Sequence, residues 1–447
     1  MFISDLLSVG YSDIDNPEEI KIDLKFSRFK GDGIIAFRGC TILSMDDDLP
    51  NQGIINNGTV IIKNDRIIEI GKDSKIKPPP GAKIVNGKGM YLLPGFIDLH
   101  AHMNLDRDIH RGTLWSFMVN LAYGVTTARD PQSMDINIFT YADRVAVGDL
   151  IGPRIFTTGP GIFNNSPVNN LEDAKRIVQK YSDYYKVNTV KQYLSGNRRH
   201  RQLLIMAIQD AQLIPTTEGM DMKLMVTQIM DGYSLEHTLP HYPLYNDMIE
   251  LIVQSGTYYD PTVIVGTGPR AEYFYWTRTD VHGNKKLNHF FPHDILDRQT
   301  RRVPWFHEGE FSYKEYAKTF KNIVNAGGKI GVGSHGDMQG ICYHWELWNI
   351  QSGGMSEMDA LRCATIIGSE AIGFSNDLGS IKEGKLADLI LLTKNPLEDI
   401  RNTTAIKYVM KNGILYDANS LDEVWPTIKK LPPQYWHGKT PKNHDNY

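Results

Sequence analysis

The middle of this 447-residue chain alternates short apolar segments with helix-like segments, and this alternation limits the possible folds more than any other feature. Helix-like stretches such as RRHRQLLIMAIQDAQ and YKEYAKTFKNIVNAGG separate the apolar segments. Eight apolar segments are predicted strands, and they end at His102, Asp130, Gly161, Leu194, Gly219, His237, Val265 and His335. Such repeats predict an α/β fold, a (β/α)₈ barrel, with an aromatic-rich insertion at 266–312 that lies as a loop over the barrel mouth.

Both ends of the chain have a different, β-rich pattern. GTVIIKNDRIIEIG contains a turn at Asn64-Asp65, and AIKYVMKNGILYD contains a turn at Asn412-Gly413. Two such segments flanking one barrel predict a small composite β-sandwich domain formed by both chain ends. The predicted divisions are an N-terminal linker (1–30), the first sandwich part (31–94), the barrel (95–374), the second sandwich part (375–418) and a C-terminal tail (419–447).

Composition and charge argue against several classes of protein. A net charge of −4 at pH 7 gives no support for nucleic-acid binding, and no apolar run is long enough to span a membrane. The start, MFISDLLSVGYSDIDNPEE, has no cationic segment and is not a signal peptide. Cys40, Cys342 and Cys363 are few and far apart, which fits a reducing compartment. We expect a cytoplasmic protein, or a periplasmic one if the chain derives from a longer secreted fusion.

The first predicted barrel strand ends in PGFIDLHAH, in which His100 and His102 are two residues apart. Side chains at this spacing lie on one face of a strand. In a barrel that face is the interior, near the carboxyl end where barrels place their chemistry. Two imidazoles at this spacing can share one Zn²⁺, so the sequence predicts a metal site. An accidental pair is the alternative.

Two further residues at predicted strand ends are candidates for the same site. Lys191 lies in NTVKQYL, an apolar strand with no evident use for an ammonium group. A buried lysine loses its proton readily, and a neutral amine beside a metal can take up CO₂ to form a bridging carbamate. A salt-bridged or snorkelling lysine is the alternative. His237 ends YSLEH and is a candidate imidazole ligand, with an ordinary core histidine as its alternative.

Several segments together resemble the amidohydrolase superfamily: PGFIDLHAH, GVTT at 124–127, the VK of the fourth strand, SLEH and DLGSIKEGKLADLILL. Within it, the chain resembles the branch near imidazolone-propionases and carbamate-lysine Xaa-Pro dipeptidases. HWELW, NPLEDIRNT and 406–426 are similar to bacterial proteins in which a Tol-type β-propeller precedes an amidohydrolase domain. The resemblance implies a barrel that binds one or two divalent metals, with Zn²⁺ as the expected ion, and hydrolyses an amide-like bond. By position it implies the metal ligands His100, His102, Lys191 (as the amine or as a carbamate) and His237.

Two positions depart from the family pattern. The family has a fifth-strand histidine where this chain has Thr217, and an aspartate at the end of the eighth strand where this chain has His335. Glu218 and His335 as ligands would leave the total ligand charge unchanged, and both residue types bind Zn²⁺. Because Glu218 and Thr217 point to opposite faces of a regular strand, this account requires a one-residue shift or a bulge.

His335 and Asp337 are the two candidates for the general base. Histidine is a competent base near neutral pH, and Gly336 is expected to turn the chain before Asp337. The predicted protein is a metal-dependent hydrolase of an amide, cyclic amide or small peptide-like C–N bond, with His335 and Lys191 as catalytic residues. A deaminase on the same barrel, and a catalytically degenerate barrel acting as a binding or assembly domain, are the alternatives.

The expected partner is a small-molecule or short peptide-like substrate, with no nucleic acid and no membrane, and a homo-oligomer is left open. Aromatic residues are candidates for the wall of a substrate pocket, with ordinary packing as the alternative: Tyr258, Tyr259, Tyr273, Phe274, Tyr275, Trp276, Trp345 and Trp348. Four histidines of the insertion lack ligand spacing and are predicted to be loop residues: His282, His289, His293 and His307.

Overall fold

The computed structural model describes residues 2–3, 18–19, 24–103, 105, 110–133, 136–163, 166–193, 197–219, 221–237, 242–266 and 268–438. Most of the predicted linker at 1–30, and residues 439–447 of the predicted tail, lie outside the described residues. In the described part of the chain, no helix has both the length and the apolar character needed to cross a bilayer. The three cysteines are buried and unpaired.

The described residues form the following strands and helices. The strands are β1 (Phe2–Ile3), β2 (Glu18–Glu19), β3 (Ile34–Leu43), β4 (Ile54–Lys63), β5 (Arg66–Lys72), β6 (Lys83–Asn86), β7 (Tyr91–Pro94), β8 (Phe96–Asp98), β9 (Val125–Asp130), β10 (Arg154–Thr157), β11 (Thr189–Gln192), β12 (Ile214–Glu218), β13 (Ser234–Glu236), β14 (Tyr258–Asp260), β15 (Lys329–Ile330), β16 (Leu389–Leu392), β17 (Ile406–Lys411), β18 (Ile414–Asp417) and β19 (Glu423–Trp425). The helices are α1 (Trp115–Ala122), α2 (Asn137–Ala146), α3 (Leu171–Gln179), α4 (Arg198–Asp210), α5 (Met222–Asp231), α6 (Asn246–Gln254), α7 (Ala271–Trp276), α8 (Lys285–Phe290), α9 (His293–Thr300), α10 (Tyr313–Asn325), α11 (Ile341–Gln351), α12 (Glu357–Cys363) and α13 (Ile366–Ala371).

One large sheet combines strands from both ends of the chain. Its order is β19-β18-β17-β16-β7-β3-β4-β5, with β6 paired to β3, and β16 pairs antiparallel with β7. The two predicted hairpin turns are present, with Asn64 at φ 58° between β4 and β5 and Asn412 at φ 49° between β17 and β18. Asparagine tolerates this left-handed conformation, which tight hairpin turns require. The strand pattern read from the two chain ends therefore produces a composite β-structure, and its arrangement as a sandwich stays a prediction.

Eight parallel strands make up the central part of the molecule, as the repeat pattern predicts. They form a three-stranded sheet, β10-β9-β8, and a five-stranded sheet, β11-β12-β13-β14-β15. Backbone contacts connect the two sheets at both sides, since Ile162 bridges Gln192, and the N–H of Leu99 donates to the carbonyl of Val332 at 2.9 Å. The fold is α/β with a TIM-like barrel, in which the carboxyl ends of the strands lie on the same side.

The insertion at 266–312 contains three short helices, so the prediction of a loop is wrong for those parts of it. The helices are α7, α8 and α9. The side chain of Asn284 caps α8 by accepting hydrogen bonds from the backbone N–H groups of Lys286 and Leu287. The ring of Tyr275 stacks on Trp345 of α11 with centroids 5.3 Å apart, and both residues are buried. For these two aromatic residues the packing alternative is confirmed, because they attach the insertion to the core.

Candidate metal centre

Four histidine rings come together beyond the carboxyl ends of the parallel strands. The ring centroid of His100 lies 4.9 Å from that of His102, 4.8 Å from His237 and 5.0 Å from His335. The Nε2 atoms of His100 and His102 are 3.2 Å apart. One ring nitrogen each from His100, His237 and His335 lie within 4.8 Å of one another. These nitrogen donors come from three separate strand ends, and imidazoles grouped in this way suit a zinc-type ion.

The protonation of these rings also suits a metal. Burial, followed by the neighbouring His237 and Lys191, holds the pKa of His100 well below its ordinary value. Burial and the neighbouring His335 lower the pKa of His102 to about 4. Both imidazoles are therefore neutral near pH 7, and the neutral imidazole is the form that ligates metals.

The backbone after β8 positions the first two histidines. β8 ends at Asp98, so His100 and His102 follow the strand rather than lie on it, and the predicted end of this strand is four residues too late. Backbone hydrogen bonding between this segment and β9 nevertheless continues, since the N–H of Ala101 donates to the carbonyl of Arg129 at 2.9 Å. An Asp98 oxygen accepts hydrogen bonds from the N–H groups of His100 and Ser334, each at 3.0 Å. Asp98 thus joins the exit of the first barrel strand to that of the eighth.

His237 and His335 both have a left-handed backbone, with φ of 70° and 61°. This conformation is uncommon outside glycine, and such strain concentrates at functional sites. Gly336 continues the turn at φ 75°, and a Cβ there would lie 2.3 Å from the carbonyl oxygen of His102. Only glycine fits this position, so the chain turns after His335, as the sequence predicts. On the other side, Nδ1 of His237 lies 2.9 Å from Oγ1 of Thr262.

Glu218, and not Thr217, points into the site. Its Oε2 atom lies 3.0 Å from Nε2 of His237 and 2.9 Å from Nζ of Lys191. The hydroxyl of Thr217 instead donates to the carbonyl of Gln192 at 2.8 Å, outside this group of side chains.

The predicted shift or bulge before Glu218 is wrong. Thr216 pairs with Lys191 on one side of β12, and Glu218 pairs with Glu236 on the other, without any register shift. The hydroxyl of Thr216 donates to Glu236 at 2.8 Å. Thr216 and Glu218 share the inner face of a regular strand, and it is the Thr217 face that points outward. The error came from assigning the inner face to Thr217 because the family has a ligand at that position.

Lys191 is part of a buried ion-pair network, so the salt-bridged alternative is confirmed, although its partner Glu236 was not identified from the sequence. Its Nζ lies 2.5 Å from Oε2 of Glu236 and 2.9 Å from Oε2 of Glu218, and all of its surface is buried. Burial acts to lower the pKa of this amine, but the charges of Glu236 and Glu218 outweigh it, and the pKa is raised. The expectation that the strand has no use for an ammonium is therefore wrong. The missed signal was a glutamate directly before a candidate ligand in a buried strand, SLEH.

Two more charged residues of the site were not identified from the sequence. Arg129 donates to Oε1 of Glu236 at 2.8 Å and to the carbonyl of Leu99. Asp260, at the end of the seventh barrel strand β14, lies 3.5 Å from Nδ1 of His100. Its two carboxylate oxygens are buried and have no hydrogen-bond partner among the described residues, and burial raises its pKa well above the ordinary range. An acidic residue ending a strand that carries no other ligand, YYD, was the available signal.

The two candidate bases have different surroundings. The Nδ1 atom of His335 is buried without a hydrogen-bond partner among the described residues and lies 3.9 Å from a carboxylate oxygen of Asp337. Asp337 forms an ion pair with the Arg270 guanidinium. Burial acts to raise the pKa of Asp337, but His335 and Arg270 outweigh it and the pKa is lowered. A carboxylate that is committed to an arginine is a weaker proton acceptor than a free one.

A second group of ligand-type side chains lies in the insertion. One atom each from His282, His293 and Asp297 lie within 4.8 Å of one another. The chain brings them together from a loop and from the first turn of α9. His282 is exposed, unlike the histidines at the strand ends. Of the four histidines predicted to be loop residues, His289 lies in α8 and His293 in α9, so the prediction is wrong for these two.

Comparisons with known proteins find one family match and several relatives. Residues 223–415 match the model of the Amidohydrolase family. A 5'-deoxyadenosine deaminase of Methanobrevibacter smithii is 22% identical over 402 residues, which are 81% of this chain and 85% of the relative. The ochratoxinase of Aspergillus niger is 30% identical over 105 residues, which are 23% of this chain and 22% of the relative.

Solved structures share the fold. A Xaa-Pro dipeptidase has a TM-score of 0.65 at 22% identity, covering 86% of this chain and 100% of that one. A molinate hydrolase has a TM-score of 0.67 at 18% identity, covering 87% of this chain and 96% of that one. The crystal structure of the A. niger ochratoxinase has a TM-score of 0.64 at 18% identity, covering 86% of this chain and 96% of that one.

Proposed function

Residues 223–415 match the Amidohydrolase family, and from this match we propose that the chain is a member of the family and a metal-dependent hydrolase of carbon–nitrogen bonds. One observation carries the proposal: the imidazoles of His100, His102, His237 and His335 converge at the carboxyl ends of the barrel strands. Barrel enzymes place their catalytic groups at this end.

The proposed ligands for one or two divalent ions, with Zn²⁺ as the expected ion, are the four histidines and Glu218. The donor set of imidazole and carboxylate is the one that zinc sites use. When bound, such an ion polarises a carbonyl group and makes water acidic enough to ionise near pH 7. Asp260 lies 3.5 Å from Nδ1 of His100 and is proposed to orient that ring, as carboxylates do for metal-bound histidines.

His335 is proposed as the general base. The side chain is 27% exposed, so a substrate can approach it from the barrel mouth, while its Nδ1 is buried and unpartnered among the described residues. His335 can play this role only while it does not ligate the metal; its imidazole then accepts a proton from the attacking water and returns it to the leaving amine. Asp337 is proposed to hold Arg270 in place through their ion pair. Because its carboxylate is engaged in this ion pair, it is proposed to take no part in proton transfer.

Lys191 is proposed as a residue of the site with one of two roles. As an ammonium it holds Glu218 and Glu236 in place, which is the arrangement described above. As a carbamate it would be a catalytic ligand and would supply two bridging oxygens. That form places a third negative charge beside two carboxylates and therefore requires a compensating cation. The two roles predict opposite results in the rescue experiment described in the Discussion.

The proposed substrate is a small-molecule amide, a cyclic amide or a dipeptide-like compound. Support comes from the names of the proteins that share the fold: a Xaa-Pro dipeptidase, an ochratoxinase and a molinate hydrolase. A deaminase is the second candidate, because a 5'-deoxyadenosine deaminase aligns with 81% of this chain. The test is a substrate panel of Xaa-Pro dipeptides, N-acyl amino acids and 5'-deoxyadenosine, assayed for both free amine and ammonia. Ammonia release from the nucleoside alone would favour deamination, and no turnover of any compound by the metal-loaded protein would favour the degenerate barrel.

A further inference from the structure

A separate cavity lies at the opposite end of the barrel strands from the histidines. It has a volume of about 380 Å³, which is within the range of small-ligand sites. Arg154, the first residue of β10, lines one side of the cavity. Lys411 and Asn412, at the turn between β17 and β18, line the other side. The cavity thus lies where the barrel meets the large sheet.

The lining of this cavity has an excess of positive charge. The cationic residues among its lining are Arg28, Arg66, Arg154, Lys186 and Lys411, and the carboxylates are Asp143 and Asp377. Asp377 forms an ion pair with Arg66, and Asp388 lies 3.1 Å from an Nη atom of Arg154. The positive charges of Arg66 and of one end of Arg154 are therefore balanced by carboxylates of the protein. Among the described residues, Lys411 has no such carboxylate in contact.

Lys411 is the most unusual of these cations. The residue is only 8% exposed, its Nζ atom keeps contact with open space, and among the described residues its ammonium forms no hydrogen bond or ion pair. Burial, followed by repulsion from Arg154, lowers its pKa to about 7, with Asp388 acting in the opposite direction. The Nε atom of Arg154 is likewise buried and unpartnered among the described residues. A buried, unpaired cation is costly, and an anion in the cavity would remove that cost.

We propose that this cavity binds a small multivalent oxyanion, either a phosphate or a dicarboxylate, through Lys411 and Arg154. The rings of Phe156 and Phe374, with centroids 4.6 Å apart, line the same cavity. These two rings form an apolar wall that an apolar part of the same ligand can contact. The site is separate from the proposed hydrolytic centre, because it lies at the amino end of β10 and contains none of the four converging histidines.

Thermal unfolding of the full chain tests the proposal with two probes, inorganic phosphate and succinate, at constant ionic strength set with NaCl. We expect at least one probe to raise the Tm of the wild type by about 2 °C or more, increasing with probe concentration. Lys411→Met should abolish that shift. Lys394→Met, at an exposed position outside the cavity, is the matched control and should retain it. A shift with phosphate alone identifies a phosphate site, and a shift with succinate alone identifies a carboxylate site.

The variant also makes a second prediction that does not depend on the choice of probe. Without added anion, Lys411→Met should unfold at a higher temperature than the wild type, because it replaces an unpaired buried cation with an apolar chain of similar length. Equal shifts in wild type and Lys411→Met would mean that the anions act generally on the protein and would overturn the proposal. A Lys411→Met protein that is less stable than wild type would overturn it as well, because Lys411 would then have a stabilising partner within the protein.

Discussion

The Oε2 atom of Glu218 contacts two very different groups, Nε2 of His237 at 3.0 Å and Nζ of Lys191 at 2.9 Å. A single carboxylate therefore connects a candidate metal ligand with a buried cation. His237 and His335 lie close to each other, with ring centroids 5.2 Å apart. The arrangement fits the proposed charge exchange, in which Glu218 supplies the negative charge that the family pattern predicts at the position of His335.

This charge exchange predicts a strong coupling between Glu218 and His335. His335→Asp alone adds an anion near Glu218, and Glu218→His alone removes the carboxylate, so each change should lower kcat/KM and metal content. The double variant restores the arrangement of the family and should be more active than the product of the two single effects predicts. Measured kcat/KM values for the wild type, the two single variants and the double variant give the coupling energy between the two positions. Additive losses would mean that the two residues do not share a metal site.

The proposed base predicts an asymmetry between two neighbouring residues. His335→Asn should lower kcat by on the order of a hundredfold, the usual effect of losing a positioned acid–base group. Asp337→Asn should have a much smaller effect on kcat, because Arg270 already occupies that carboxylate. Steady-state kinetics of both variants, with metal content measured in parallel, separate loss of the base from loss of the metal. A nearly active His335→Asn protein with normal metal content would assign the role to another group.

Much of the fold was predictable because hydrophobic periodicity and turn residues act locally. The eight strands and the hairpin turns at Asn64 and Asn412 follow from such patterns. The insertion was not predictable as helices, because α7 and α8 have only six residues each and depend on packing against partners such as Trp345. Short helices are not stable alone, so their sequence pattern is weak.

The role of Lys191 is decided by chemical rescue. Lys191→Ala should abolish activity in either role, and it leaves Glu218 and Glu236 without their shared cation, which should lower stability by about 3 kcal/mol or more. If Lys191 is carbamylated, millimolar propionate or a similar short acid should restore part of the activity, since it fills the space and supplies oxygens. If Lys191 is an ammonium, an added anion should give no restoration, whereas a short alkylamine should restore part of the activity. Chemical denaturation and activity with each additive provide the measurements.

Stability should depend on pH through Glu346, which lies on α11. Its two oxygens accept hydrogen bonds from the N–H groups of Val263 and Ile264, each at 2.7 Å, and burial raises its pKa from 4.5 to about 8. Between these two values the folded protein keeps a proton that the unfolded chain releases. The contribution of Glu346 to the free energy of unfolding is therefore fully present below pH 4.5, the ordinary pKa, and is lost as the pH rises toward about 8, the pKa in the folded protein.

The expected loss of unfolding free energy between pH 5 and pH 8 is about 2 kcal/mol or more from this group. Glu346→Gln keeps an oxygen acceptor but cannot titrate, so its stability should change less over the same range. Urea unfolding of both proteins at the two pH values provides the comparison. An equal pH dependence in the two proteins would show that Glu346 does not titrate in this window.

The candidate site was predictable only where a ligand type stands at a strand end. His100, His102, His237 and His335 satisfy that condition. Lys191 and Glu218 were also identified, but Glu236, Arg129 and Asp260 were missed, in part because Glu236 pairs with residues on strands that are distant in sequence. Glu236 is 45 residues from Lys191 and 107 residues from Arg129, and no local pattern indicates either pair.

The central claim is that the four histidines hold a divalent metal on which hydrolysis depends, and metal content measures it most directly. The protein purified without chelators should contain about one or two zinc-type ions per chain by mass spectrometry. His100→Ala should lose most of this metal, whereas His282→Ala, in the second histidine group, should retain it. Activity on the amide panel should disappear with a chelator and return with added metal. A metal-free wild-type protein that stays inactive after addition of Zn²⁺, Mn²⁺ and Co²⁺ would contradict the account.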